Sequence, residues 1–178
     1  MFGNYKLNPA IINTMPAITP FIPKNILLMP NAAVQKAAQL ADCISSSLKR
    51  HAVAHCVFPY DYEHPTQVPQ IEGHDLLIVI GGDGTLLRAG HLCAPYDIPL
   101  LGVQAGRLGF LTELNEDCLE SGLTRLLSAN YRLENRMMLQ AELIGYGGVQ
   151  KRCDVINETL ISRERETVPI EVRVDLNE

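Results

Sequence analysis

No basic block occurs anywhere in the sequence, and the formal net charge is −5. That argues against a nucleic-acid surface, which concentrates lysine and arginine on one face. A negatively charged substrate would need local positive groups, and Arg88, Arg107 and Arg136 are the candidates. No apolar run approaches the length that crosses a membrane. No Cys-x-x-Cys pair occurs either. Cys43, Cys56, Cys93, Cys118 and Cys153 lie far apart, and the odd total of 5 argues against a disulfide framework. Reduced, buried thiols in a cytoplasmic protein are the plain reading. The start of the chain lacks the charged opening and continuous apolar stretch of a signal peptide. It holds Pro9, Pro16, Pro20 and Pro23 with only Lys6 and Lys24 as charges, so residues 1–24 are expected to be a flexible leader. Internal repeats and low-complexity segments are also missing. At 178 residues and 47% hydrophobic content, what remains can form one ordinary core, or one domain plus part of another.

The most informative segment is Leu76-Leu77-Ile78-Val79-Ile80-Gly81-Gly82-Asp83-Gly84-Thr85. Five apolar residues rich in Ile and Val predict a strand buried on both faces of a parallel sheet. Three glycines then let the backbone approach something bulky, since no Cβ intervenes. At an average usage of ~7%, three glycines at these offsets arise by chance at roughly three in ten thousand positions, so the spacing carries information. Thr85 is expected to cap the following helix, whose free N–H groups attract phosphate. Asp83 is the unusual member. A carboxylate beside a polyphosphate is repelled unless it shares a metal ion or accepts a proton from a nearby hydroxyl.

Strands and helices alternate around this segment. Asn25–Met29 reads as a strand, and residues 33–50 as a helix with Val34, Ala37, Ala38, Ala41, Ile44 and Leu48 at helical spacing. A second strand is expected near residues 52–58, an irregular loop over 59–73, and a further short strand over 99–103. This grammar predicts a Rossmann-like parallel α/β domain over 25–130, with ligands beyond the carboxyl ends of the strands. After a helix over 118–129 the pattern changes. Residues 132–144 and 149–161 read as extended segments joined by the turn Gly145-Tyr146-Gly147-Gly148, and residues 168–174 alternate in strand period. Residues 131–178 are therefore expected to form an incomplete antiparallel β domain. His51 and His55 share a face if their strand is regular, but two histidines without further ligands fall short of a zinc site.

Four ordered motifs together resemble the NAD kinase family. Gly81-Gly82-Asp83-Gly84-Thr85 is similar to its phosphate turn. Residues 102–113, Gly-Val-Gln-Ala-Gly-Arg-Leu-Gly-Phe-Leu-Thr-Glu, are similar to its second glycine segment, which more often has Asn where Gln104 stands. Arg136-Met137-Met138-Leu139 resembles the strand leading into the family's β-rich domain, and Val155-Ile156-Asn157-Glu158 its Asn-Glu dinucleotide contact.

The resemblance implies phosphorylation of the adenosine-ribose 2′-hydroxyl of NAD by ATP or polyphosphate, with Mg²⁺ or another divalent cation accompanying the donor. It implies that Asp83 takes or holds the hydroxyl proton, and that Gly81, Gly82, Gly84, Thr85 and Arg88 meet phosphate. Asp83, Gly84, Phe110, Asn157 and Glu158 would contact NAD. Phosphoryl transfer asks a protein mainly to position groups and neutralise charge, which suits such a set. Each residue also has a plainer reading: Asn157-Glu158 as a solvated hairpin pair, Phe110 as core, Arg136 as a surface ion pair. Family members assemble as homo-oligomers. The family also continues with a second Gly-Asp-Gly segment and a Thr-Pro-Thr-Gly-Ser stretch, and neither string occurs here. The expectation is a chain lacking the C-terminal part and inactive alone. A non-catalytic dinucleotide-binding module is the alternative from another class. Diacylglycerol and sphingosine kinases share only Gly-Gly-Asp-Gly-Thr with this sequence.

Overall fold

A computed structural model describes residues 4–8, 19–106, 109–136, 138–145 and 147–156, residues 4–8 by their backbone. Four parallel strands form the central sheet: β2 (Asn25–Pro30), β3 (Ala54–Val57), β4 (Leu76–Gly81) and β5 (Leu100–Gln104), in the spatial order β3-β2-β4-β5. Helices α1 (Gln35–Arg50), α2 (Asp83–Cys93) and α3 (Leu119–Leu127) accompany them.

Strand period 2, with cover on both faces, explains why β4 and the part of β2 after Asn25 are apolar. Ile26, Leu28, Leu76, Ile78 and Ile80 face one way and pack on Ala37, Leu40, Ala41, Ile44 and Leu48 of α1 and on Leu119, Leu123 and Leu126 of α3. Leu27, Met29, Leu77 and Val79 face the other way and meet Ala89 and Cys93 of α2. The loop expected over 59–73 is irregular, yet it covers this second face as a helix would. Tyr60, Tyr62 and Ile71 are buried there, with the two tyrosine rings edge to face at 4.8 Å. A sheet covered on both sides leaves no polar residue at the buried positions of its central strands, and Asn25 stands half-buried at the start of β2.

The second strand starts later than expected because α1 ends in a left-handed turn. Ala52 has φ 55°, and the N–H groups of Ala52 and Val53 donate to the carbonyls of Lys49 and Leu48. This doubly bonded helix ending takes up the residues before β3. His51 therefore terminates α1, its Nδ1 2.9 Å from the Ser47 carbonyl, rather than sharing a strand face with His55.

An antiparallel sheet follows, in the order β1-β6-β7, from β1 (Asn4–Asn8), β6 (Leu139–Gly145) and β7 (Gly148–Val155). The switch from parallel to antiparallel pairing matches the change of pattern in the sequence. Two expectations need correction. The strand expected over 132–144 is regular only from Leu139. The flexible leader does not hold for Asn4–Asn8, which pairs with β6 from Asn4↔Ile144 to Asn8↔Gln140. Nor does it hold at Phe21, whose carbonyl accepts from the Tyr131 hydroxyl while its ring meets that of Tyr131 edge to face. Local sequence misses both because the partners lie more than 100 residues away. The strand expected over 168–174 lies outside the described residues.

Candidate functional site

The chain leaves β2 for α1 on one face of the sheet and β4 for α2 on the other. Such a switch point opens a crevice at the carboxyl ends of the two strands. Gly81 and Gly82 line one side of it and Asn31 the other. The Asn31 side-chain amide donates to the Thr85 hydroxyl at 2.9 Å, while its carbonyl oxygen accepts from Ala33 N–H at 3.0 Å. One residue thus joins the starts of α1 and α2 across the crevice. Nothing in its local sequence marked it, although a polar residue directly after a buried strand is the signal that could have.

The three glycines of the turn have separate reasons. Gly81 is buried in the sheet, and a Cβ there would stand 2.6 Å from the Thr85 hydroxyl oxygen. Gly82 and Gly84 face open space, with nothing within 4 Å of an added Cβ. Gly82 forms the N-cap of α2. Helix α2 begins at Asp83, three residues earlier than expected, which corrects the capping role given to Thr85. Thr85 sits buried in the first turn, and its hydroxyl accepts from Asn31 instead.

Asp83 occupies that first turn, where a negative charge is favoured by the helix dipole. Its carboxylate accepts the N–H groups of Phe110 at 2.9 Å and Leu111 at 3.0 Å. These donors come from an arch that leaves β5 at Ala105 and returns along its edge. Gly106 makes the departure with φ 132°, and Ala105 N–H donates to the Gly81 carbonyl at 2.8 Å. Gly109 passes so close that a Cβ would collide with the Asp83 carboxylate and lie 2.9 Å from Gln104 Oε1. Below the arch the Thr112 hydroxyl donates to Gln104 Oε1 at 2.6 Å. Leu114 then pairs with Val103 as an isolated parallel bridge. Glu113 Oε2 accepts Gly102 N–H at 2.8 Å, and burial of that carboxyl raises its pKa from the ordinary carboxylate value. In sequence Gln104, Thr112 and Glu113 are members of a motif with no task of their own. Their roles depend on a return of the chain that only pairing with β5 reveals.

The remaining candidates are spread out. Phe110 is 99% exposed, so the reading of it as core is wrong. Arg88 lies on the outer side of α2, 3.5 Å from Glu63 of the long loop. Arg136 pairs with Glu134 at 3.4 Å. Arg107, Asn157 and Glu158 lie outside the described residues. The last described residue before that pair, Ile156, comes against α2, since a Cβ at Gly90 would stand 2.5 Å from its Cδ1. Among the described residues, no group of three or more His, Cys, Asp or Glu could hold a metal ion. His55 is engaged by the Ser45 hydroxyl at 2.8 Å and the Val53 carbonyl at 3.0 Å.

Comparison with known proteins agrees with this geometry. Residues 25–131 match the family model of the ATP-NAD kinase N-terminal domain. The NAD kinase of Heliobacterium modesticaldum is 46% identical over 89 residues, which is 50% of this chain and 31% of that protein. The NAD kinase of Symbiobacterium thermophilum is 39% identical over 104 residues, 58% of this chain and 37% of that protein. The matched part thus spans roughly a third of these relatives' length. A crystal structure of yeast NADH kinase complexed with NADH shares the fold with a TM-score of 0.56 at 16% identity, covering 79% of this chain and 44% of that one. With the glycine turn, the arch over Asp83 and more than half of the sequence matched, this chain belongs to the NAD kinase family.

Proposed function

We propose that this chain serves the transfer of a terminal phosphate, from ATP or polyphosphate, to the adenosine-ribose 2′-hydroxyl of NAD. The observation that carries the reading is the Asp83 carboxylate at the mouth of the crevice, oriented by two backbone N–H groups. A carboxylate has about four lone-pair positions, so two such bonds leave capacity for a substrate hydroxyl. Asp83 would accept that hydroxyl's proton or hold it by hydrogen bond, an effect of ~10²–10⁴-fold in rate.

The open backbone at Gly82 and Gly84, at the N-terminus of α2, suits phosphate oxygens. Thr85 would serve this turn from beneath, and Gly81 would allow the turn to close on Thr85. Phe110 offers an exposed ring beside Asp83 for the adenine. Asn157 and Glu158 would add ribose contacts, and Arg88 would reach phosphate by leaving Glu63. A hard cation such as Mg²⁺ fits one carboxylate plus phosphate oxygens, and Asp83 is the carboxylate available on this chain. That cation would neutralise charge developing on the transferred group. Five free cysteines suit a cytoplasmic setting, and no helix among the described residues is long and apolar enough to cross a membrane. A homo-oligomer is proposed on the family resemblance alone.

The test is NADP formation from NAD and ATP by protein purified free of host kinase, with an NAD titration alongside. In a form extended to carry the family's C-terminal segments, Asp83→Asn should keep NAD affinity within a few-fold and lower turnover by ~10²-fold or more, because the amide lacks the acceptor charge. Unchanged turnover in that variant would remove Asp83 from the chemistry. NAD binding without NADP formation in that extended form as well would identify a dinucleotide-binding module instead.

A further inference from the structure

We propose that Glu113 is a positioning residue that fastens the arch over Asp83 by acting as a missing strand at the edge of β5. In the order β3-β2-β4-β5 the far side of β5 has no neighbouring strand within the sheet. Its N–H and C=O groups at Gly102 must find other partners. Glu113 bonds to both, sharing the carbonyl with Leu114 N–H, which also donates to it at 3.1 Å, and is the acceptor for the N–H. Its backbone N–H donates to the Gly102 carbonyl at 3.1 Å, and its Oε2 accepts Gly102 N–H at 2.8 Å. This exchange copies a ladder pair with one side chain in place of a carbonyl.

The approach is close, since a Cβ at Gly102 would stand 2.9 Å from Leu86 Cδ1, 3.0 Å from Glu113 Oε2 and 3.2 Å from Thr112 Cα, and the neighbours would have to shift to admit one. The arch is thus held at two feet, by Ala105 on Gly81 and by Glu113 with its neighbour Leu114 on Gly102 and Gln104, the side-chain bond being the part that Glu113 alone adds. Phe110 and Leu111, the two donors to Asp83, stand only two or three residues from the second foot. The bonds of Glu113 go to Gly102, and it acts on Asp83 through the arch.

This inference rests on the reading of Asp83 as the acceptor-side carboxylate, but its test does not involve turnover. Amide hydrogen exchange of the whole chain, resolved by residue, is compared among wild type, Glu113→Ala, Glu113→Asp and Glu113→Gln. Alanine removes the acceptor and aspartate is too short to reach it. Glutamine keeps an amide oxygen at the same place. Alanine and aspartate should speed exchange at Gly102, Phe110 and Leu111 by ~10-fold or more, the scale of one lost hydrogen bond, with Ile78 and Val79 unchanged. Glutamine should restore protection to within a few-fold of wild type. Wild-type exchange at Phe110 and Leu111 in the alanine variant would overturn the proposal. So would glutamine as damaging as alanine, or loss of protection throughout the sheet in both alanine and aspartate. The expected exchange pattern in a protein without NADP formation would leave Glu113's role standing while the functional reading failed.

Discussion

At the residue scale, close approach rather than turn geometry governs Gly109, which passes over Asp83. Gly109 has no positive φ among the backbone outliers, yet its missing Cβ leaves the space that the Asp83 carboxylate and Gln104 amide occupy. Gly109→Ala should therefore lower stability by ~1–3 kcal/mol, the usual cost of overpacking, and weaken NAD binding by displacing Phe110 or Asp83. Thermal melting and an NAD titration check this. Melting and affinity both equal to wild type would mean that the arch stands farther from Asp83. Gly81 differs, because its neighbour is Thr85 of the same chain and its glycine serves packing. In sequence the motif's glycines look equivalent. Only the positions of Thr85, Asp83 and open space separate them.

At the scale of elements, two helices end alike with an unfavourable residue at the same place. After α1 stands Ala52 with φ 55°, and after α3 Ala129 with φ 54°. In the second case Ala129 N–H and Asn130 N–H donate to the carbonyls of Leu126 and Arg125. A left-handed alanine costs ~1–2 kcal/mol that glycine avoids. Ala52→Gly and Ala129→Gly should each raise stability by about 1 kcal/mol, slightly less after glycine's larger entropy in the unfolded chain. Denaturant unfolding of the two single variants and the double variant checks the gain and its additivity. A loss of stability in either would show that the turn is not left-handed in solution. The helix bodies were legible from their apolar spacing. The ends were not, because neither carries the glycine that usually announces them.

At the scale of the whole molecule, the buried aromatic and thiol cluster beneath α2 sets an alkaline limit. Burial pushes the Cys93 thiol up from 9.0 to about 12, and burial, with Cys93 and Tyr60 adding to it, raises the Tyr62 phenol. A raised pKa in the folded state favours folding at pH values below the unfolded value, and that contribution fades as pH climbs through the folded value. Stability should fall between pH 9.0 and about 12, and Cys93→Ser should flatten part of that slope. Chemical denaturation across this range is the measurement, and a flat profile would contradict the burial of Cys93. The antiparallel sheet carries a second prediction. Strand β1 covers one edge of β6, so deleting residues 1–8 should expose an unpaired edge and increase self-association. Sedimentation of the shortened protein at rising concentration would reveal it, and unchanged behaviour would mean that β1 does not protect β6.

The class of fold, the strand-turn-helix at Asp83 and the family are all legible in the order of the residues. Each of these is written in contiguous residues whose periodicity or spacing has a local physical cause. The apolar runs of β2 and β4 could only be strands covered on two faces, and Gly81 to Thr85 could only be a tight turn into a helix. Tertiary structure alone decided that Asn31 joins two helix starts and that the loop over 59–73 covers a sheet face. It also decided that Phe110 and Leu111 hold Asp83 with Glu113 fastening them from below, and that Asn4–Asn8 lies beside β6. These contacts join residues distant in sequence, and no local propensity carries their partner's address. The parallel sheet brings its carboxyl ends to one edge, and the chemistry assembles there from pieces that are each unremarkable alone.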